Sequence, residues 1–122
     1  MIAMLKGELE GPRCLLAVEE SAIRKVSAAN LLESYMVMDR SGVLDAENLA
    51  DDFLREFSVA VEPVTEEQVA LARTAFRRFG RGSQQGAKLN FGDCFAYALA
   101  RQMGEPLLFV GNDFSQTDIG VA

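Results

Sequence analysis

The sequence predicts an α/β sandwich built on a mainly parallel sheet, and three observations predict it. Helical and strand-like patterns alternate in the order helix, strand, helix, helix, strand, helix, helix, strand, which right-handed crossovers fold onto a parallel sheet. Residues 106–110 form a continuous apolar run, as a strand buried on both faces does. Glu33, Asp93 and Asp113 fall just after strand-like runs or at the starts of helices and loops. An open α/β sheet gathers its ligands at that carboxyl edge.

The elements follow from local chemistry. Pro12 suits the first turn of a helix reaching about residue 20, because its missing N–H has no partner there anyway. Residues 23–27 fit a short strand. Asn30 then reads as a helix N-cap with Glu33 at the third helical position, resembling a capping box. Leu31, Leu32, Tyr35, Met36 and Met38 supply the apolar side of this helix, and Gly42 stops it. Residues 44–57 form an amphipathic helix, with Leu49, Phe53, Leu54 and Phe57 inward and Asp51, Asp52, Arg55 and Glu56 facing water.

Residues 59–64 read as a strand that Pro63 ends or confines to an edge. Thr65-Glu-Glu-Gln68 is a capping box opening a helix whose Val69, Ala72, Phe76 and Phe79 recur at helical spacing. A loop rich in Gly, Ser and Gln covers residues 80–88. Asn90 caps the next helix, which carries Phe91, Phe95, Leu99 and Met103 in one stripe and ends at Gly104.

Composition bounds the function. The 122 residues make one domain, 1–122, with 49% hydrophobic and 25% charged residues, enough to bury a core without cross-links. The chain has no histidine, which removes Ser/His and Cys/His catalysis and histidine-ligated zinc. Cys14 and Cys94 lack metal-ligand spacing, and with no signal peptide in view they read as reduced, mostly buried thiols of a cytoplasmic protein. No apolar run approaches a membrane span. A net charge of −6 argues against gripping nucleic acid by bulk electrostatics. Bound divalent cations can still invert the field of an acidic pocket.

Several carboxylates without histidine suit a hard, oxygen-seeking cation such as Mg2+ or Mn2+, and hence phosphodiester chemistry. A plainer reading competes. Asn30-x-x-Glu33 and Asn90-x-x-Asp93 are both cap-like patterns, in which the acid serves the helix start. Asp113, after Asn112, fits a turn. Arg73, Arg77, Arg78 and Arg81 form the only dense basic cluster, and Arg73 and Arg77 share a helical face. They would either position RNA phosphates or form a solvated face. The second is favoured, since arginine is a good surface helix former.

Leu89-Asn-Phe-Gly-Asp-Cys-Phe-Ala-Tyr-Ala100, followed by the stretch from Pro106 to Ile119, resembles the C-terminal half of a VapC-type PIN-domain toxin. Ser27-Ala-Ala-Asn-Leu-Leu-Glu33 and Val61-Glu-Pro-Val-Thr65 sit upstream in the matching order. The resemblance implies a PIN-like α/β/α sandwich and a metal-dependent endoribonuclease that cleaves RNA at a Mg2+ site. It further implies inhibition by a VapB-like antitoxin, and a homodimer. Glu33, Asp93 and Asp113 fall on three of the family's acidic positions, with Asp118 a weaker candidate at the rim. Asp93 would be a direct ligand, Asp113 a direct or water-mediated one, and Glu33 an outer ligand or water orienter.

The start departs from the pattern. The family opens with a strand carrying Asp-Thr-Ser or a variant, whereas residues 1–8 resemble the helix that follows it. The first strand and its aspartate are thus expected to be missing. Either the sequence starts at an internal methionine, which the intact later motifs favour, or it is a truncated, inactive relative serving as an antitoxin-binding or dimerisation module. An unrelated α/β interaction module is the remaining reading.

Overall fold

A computed structural model of the chain describes residues 24–80 and 89–104, with Leu16 and Glu20 as isolated helical positions. The expected helix over 12–20 otherwise lies outside the described residues, as do residues 81–88 of the expected loop 80–88 and the expected strand 106–110. Contacts divide the chain into two compact units, Met1–Glu62 and Pro63–Ala122.

In the first unit β1 (Lys25–Ser27) runs straight into α1 (Ala28–Arg40), followed by α2 (Ala46–Glu56) and β2 (Ala60–Glu62). β1 and β2 pair in parallel with Val26 opposite Val61, which the long helical crossover between them allows. The crossover is tied at its base: Ala60 N donates to Arg24 O at 2.8 Å, and Arg24 Nη1 donates to Phe57 O at 2.9 Å. Pro63, which has no N–H to offer a ladder, follows β2 directly.

α1 starts earlier than expected. Its N-cap is Ser27, not Asn30, and the Ser27 side chain makes no capping bond. Asn30 instead sits in the first turn, and its carbonyl accepts from Ser34 Oγ at 3.0 Å. The apolar face is also rotated. Met38 and Ser34 are buried, whereas Leu32 and Met36 are 60% and 47% exposed. In α2 the buried positions are Ala46, Ala50 and Phe53, with Leu49 partly exposed. Leu44, expected to open this helix, precedes it and is 90% exposed. Phe53 and Phe57 pack on each other with centroids 4.8 Å apart.

The second unit holds α3 (Glu66–Phe79) and α4 (Phe91–Met103). Thr65 caps α3 by accepting from Gln68 N at 3.2 Å, but the expected reciprocal bond is not made. The buried Gln68 amide turns instead to α4, where its Nε2 donates to Gln102 Oε1 at 2.7 Å. Gln102 Nε2 in turn donates to Glu67 Oε2 at 2.9 Å. At the opposite end Leu89 N donates to Phe79 O at 3.0 Å, and Gly80 and Leu89 form a parallel bridge. The start of α3 therefore lies beside the end of α4, and the end of α3 beside the start of α4. The pair is antiparallel.

Between them lies a core of Ala75, Phe79, Leu89, Cys94, Tyr97 and Ala100, with Ala72 and Ala96 packed against it. The Phe79 and Tyr97 rings meet at 5.9 Å. Val69 and Phe76, expected to face inward, are 53% and 52% exposed, and Phe91 is 81% exposed. Alanines on both helices fill the seam, so the buried stripe is displaced from the one the large residues suggest. Gly104 ends α4 in the left-handed conformation, φ +66°, which costs glycine little. No helix among the described residues is long and apolar enough to cross a membrane.

Candidate active site

Asp93 is fixed by its own helix start. Asn90 N donates to Asp93 Oδ2 at 2.9 Å, and Asp93 N donates to Asn90 Oδ1 at 2.9 Å, a complete capping box. The expected cap is thus present. It holds a half-buried carboxylate at the N-terminus of α4, where the helix dipole favours negative charge. The box uses one carboxylate oxygen, Oδ2.

Cys94 follows directly, buried in the unit core as a free thiol. Burial, and then the neighbouring Asp93 charge, push its pKa up. It is therefore a protonated packing residue at neutral pH, and its role is structural. Cys14 lies outside the described residues.

Glu33 lies in α1 of the first unit and is exposed. Asn30 Nδ2 approaches its Oε1 at 3.5 Å, a long contact that does little to fix the carboxylate. Asp113 and Asp118 lie outside the described residues. Among the described residues no group of three His, Cys, Asp or Glu side chains is placed to hold a metal. The donor chemistry nevertheless fits a hard cation: all four candidates are carboxylates, in a chain without histidine.

Two features escaped the sequence. Tyr35 Oη donates to Asp51 Oδ1 at 2.5 Å, linking α1 to α2. Asp51, expected to face water, is half-buried and lines an open cleft of about 350 Å3 with Tyr35, Asp39 and Glu47. The bond to Asp51, then burial and the charges of Asp51 and Glu47, push the Tyr35 phenol up to about 12. The contributing residues lie 16 apart in sequence, beyond any local pattern. The second feature is Ser27 Oγ, which is buried and unbonded at the junction of β1 and α1.

Comparison with known proteins places these elements. A family model described as "PIN domain" matches residues 1–120. The chain is 43% identical over 119 residues to the VapC ribonuclease Mb0625 of Mycobacterium bovis, covering 98% of this chain and 90% of that protein. It matches Ribonuclease VapC28 of Mycobacterium tuberculosis with the same identity and coverage. Ribonuclease VapC30 of M. tuberculosis is 42% identical over 120 residues, again across 98% of this chain and 90% of that protein. A match over almost every residue, to relatives well above 30% identity, fixes the ancestry: this chain belongs to the PIN-domain family.

Proposed function

We propose that this protein is a divalent-metal-dependent endoribonuclease, the toxin of a VapBC-like toxin–antitoxin pair. The observation that carries the reading is the near-complete match to relatives named as VapC ribonucleases. Asp93, presented by its capping box, supplies a carboxylate of the kind such chemistry needs.

In this reading Asp93 and Asp113 hold Mg2+ or Mn2+, Glu33 completes the shell or orients a water, and Asp118 stands at the rim. The ion supplies positive charge that acidifies water and offsets charge on the phosphate. The protein's own part is placement. The Asn90 backbone N–H holds one Asp93 oxygen and so sets the direction of the other. The α4 dipole favours negative charge at this position. Exposed Glu33, free to adjust, suits an outer role better than a fixed ligand.

An acidic site without substrate repels itself, and a cationic peptide relieves that repulsion as a metal does. A VapB-like antitoxin would therefore send an arginine to Glu33, Asp93 or Asp113, since its planar fork binds carboxylates bidentately. A homodimer fits the exposed apolar residues of α1, Leu32, Met36 and Val37. Phe53, by contrast, is buried within its own unit. An RNA substrate and a reduced Cys94 both suit the cytoplasm.

Asp93→Asn tests the assignment. Asparagine still accepts the Asn90 N–H, so thermal unfolding should show a loss of no more than about 1 kcal/mol. RNA cleavage should fall by at least about 100-fold, beyond the usual cost of disturbing a ligand's outer partner. Full Mg2+-dependent activity in this variant would remove Asp93 from the mechanism.

A further inference from the structure

α3 carries a feature that the carboxylate site does not use. Its buried side is Gln68, Ala75 and Phe79. About 100° or more around the helix, Val69, Arg73, Phe76 and Arg77 share one outward stripe, and all four are exposed. Two arginines at i, i+4 repel each other and destabilise a helix on their own. A large aromatic left half in water beside them forgoes the burial it could have had. Complementing the helix dipole accounts for Arg77 and Arg78 in the last turn. It accounts neither for Arg73 in mid-helix nor for the exposed Phe76.

Phe76 lies close to the backbone at the end of its own helix. A Cβ at Gly80 would lie 2.5 Å from Phe76 Cδ1 and 2.8 Å from Cε1, and would also strike the Phe76 carbonyl oxygen. Only glycine lets this ring lie against the backbone at the end of α3. The stripe also has a definite address. Phe79 O accepts from Leu89 N, one residue before the Asn90–Asp93 box, so the arginine-rich end of α3 and the start of α4 are neighbours.

We propose that Arg73, Phe76 and Arg77 form the surface that holds single-stranded RNA beside Asp93, with a base stacked on Phe76 and phosphates on the two arginines. The proposal rests on the ribonuclease reading. It is favoured by charge. In a protein of net charge −6, RNA is repelled by the body and must be met by a local cationic site. Aromatic rings flanked by cations are how single strands are held without sequence preference. The arginines stand about 6 Å apart along the axis, a step that two long side chains span to neighbouring phosphates.

The test uses the full protein carrying Asp93→Asn, to suppress cleavage, and a fluorescein-labelled single-stranded RNA oligonucleotide read by anisotropy across a salt series. Phe76→Ala should weaken binding at least about fivefold, the lower bound for losing one base–aromatic stack. Arg73→Gln with Arg77→Gln should weaken it at least about tenfold and flatten the salt slope by about 1.4, two single-strand phosphate contacts' worth. Arg40→Gln with Arg55→Gln removes the same charge from exposed positions elsewhere, and should leave the slope within about 0.3 of its starting value. Unchanged affinity in both stripe variants, or an equal loss in the Arg40/Arg55 control, overturns the proposal. Stripe variants that lose an acidic protein partner while binding RNA normally also overturn it. If the unsubstituted protein neither cleaves nor binds RNA in Mg2+ or Mn2+, the ribonuclease reading itself fails.

Discussion

At Asp93 one carboxylate oxygen is already committed to the Asn90 backbone N–H at 2.9 Å, so the residue's direction is set before any ligand arrives. Tyr35 shows the same economy, with one bond at 2.5 Å joining α1 to α2. Because its phenol is raised from 10.0 to about 12, the folded state favours the protonated form. That stability is complete below pH 10 and is lost as pH rises through the folded value. Tyr35→Phe should therefore lower stability near neutral pH by about 1 kcal/mol, below the roughly 1.5–3 kcal/mol of a hydrogen bond to a charged group because solvent screens this partly exposed pair. It should also abolish this component of the alkaline decline between pH 10 and 12. Denaturant midpoints measured across that window check both, and parallel declines in the two proteins would show that the bond does not couple the helices.

Elements were legible where their signals were local and unique. Asn90, Asp93 and Gly104 fix both ends of α4 by short-range chemistry, and the helix runs between them as expected. The Asn30-x-x-Glu33 pattern suggests Asn30 as the cap of α1. The choice fell to Ser27 because β1 pairs with β2 through that residue, opposite Glu62, and the chain turns helical at once. Helix faces were misread for a different reason. Large apolar residues were expected inside, but the α3–α4 seam is filled by Ala72, Ala75, Ala96 and Ala100, leaving Phe76 and Phe91 outside. Composition cannot see which stripe a partner helix will cover. Asn90→Ala should cost about 1 kcal/mol of stability. The backbone N–H that holds the Asp93 carboxylate survives this change, so cleavage at saturating substrate should fall less than about tenfold, the lower end of what losing a ligand's outer partner costs. A larger loss of cleavage would show that the Asn90 side chain, and not its N–H, positions Asp93.

For the whole molecule, the α/β order and the family were legible because strand, helix and acid recur in a definite sequence. The Tyr35–Asp51 link and the outward stripe of α3 were not, since they depend on which faces meet. Exposed Leu32 and Met36 make a concrete prediction about assembly. Leu32→Gln with Met36→Gln should convert a dimer to monomer in analytical ultracentrifugation at micromolar concentration, while secondary structure by circular dichroism stays unchanged. A dimer that survives the change would move the contact to another face.

The central claim is that carboxylates of this chain cleave RNA through a bound divalent cation, and metal removal tests it most directly. Purified protein, free of any bound partner, should cut RNA in Mg2+ or Mn2+, stop when the metal is chelated, and recover when either ion is restored. Its unfolding temperature should rise with ion concentration in the unmodified protein and much less in Asp93→Asn. RNA cleavage that continues undiminished after chelation, with no metal-dependent shift in unfolding temperature, would contradict the account.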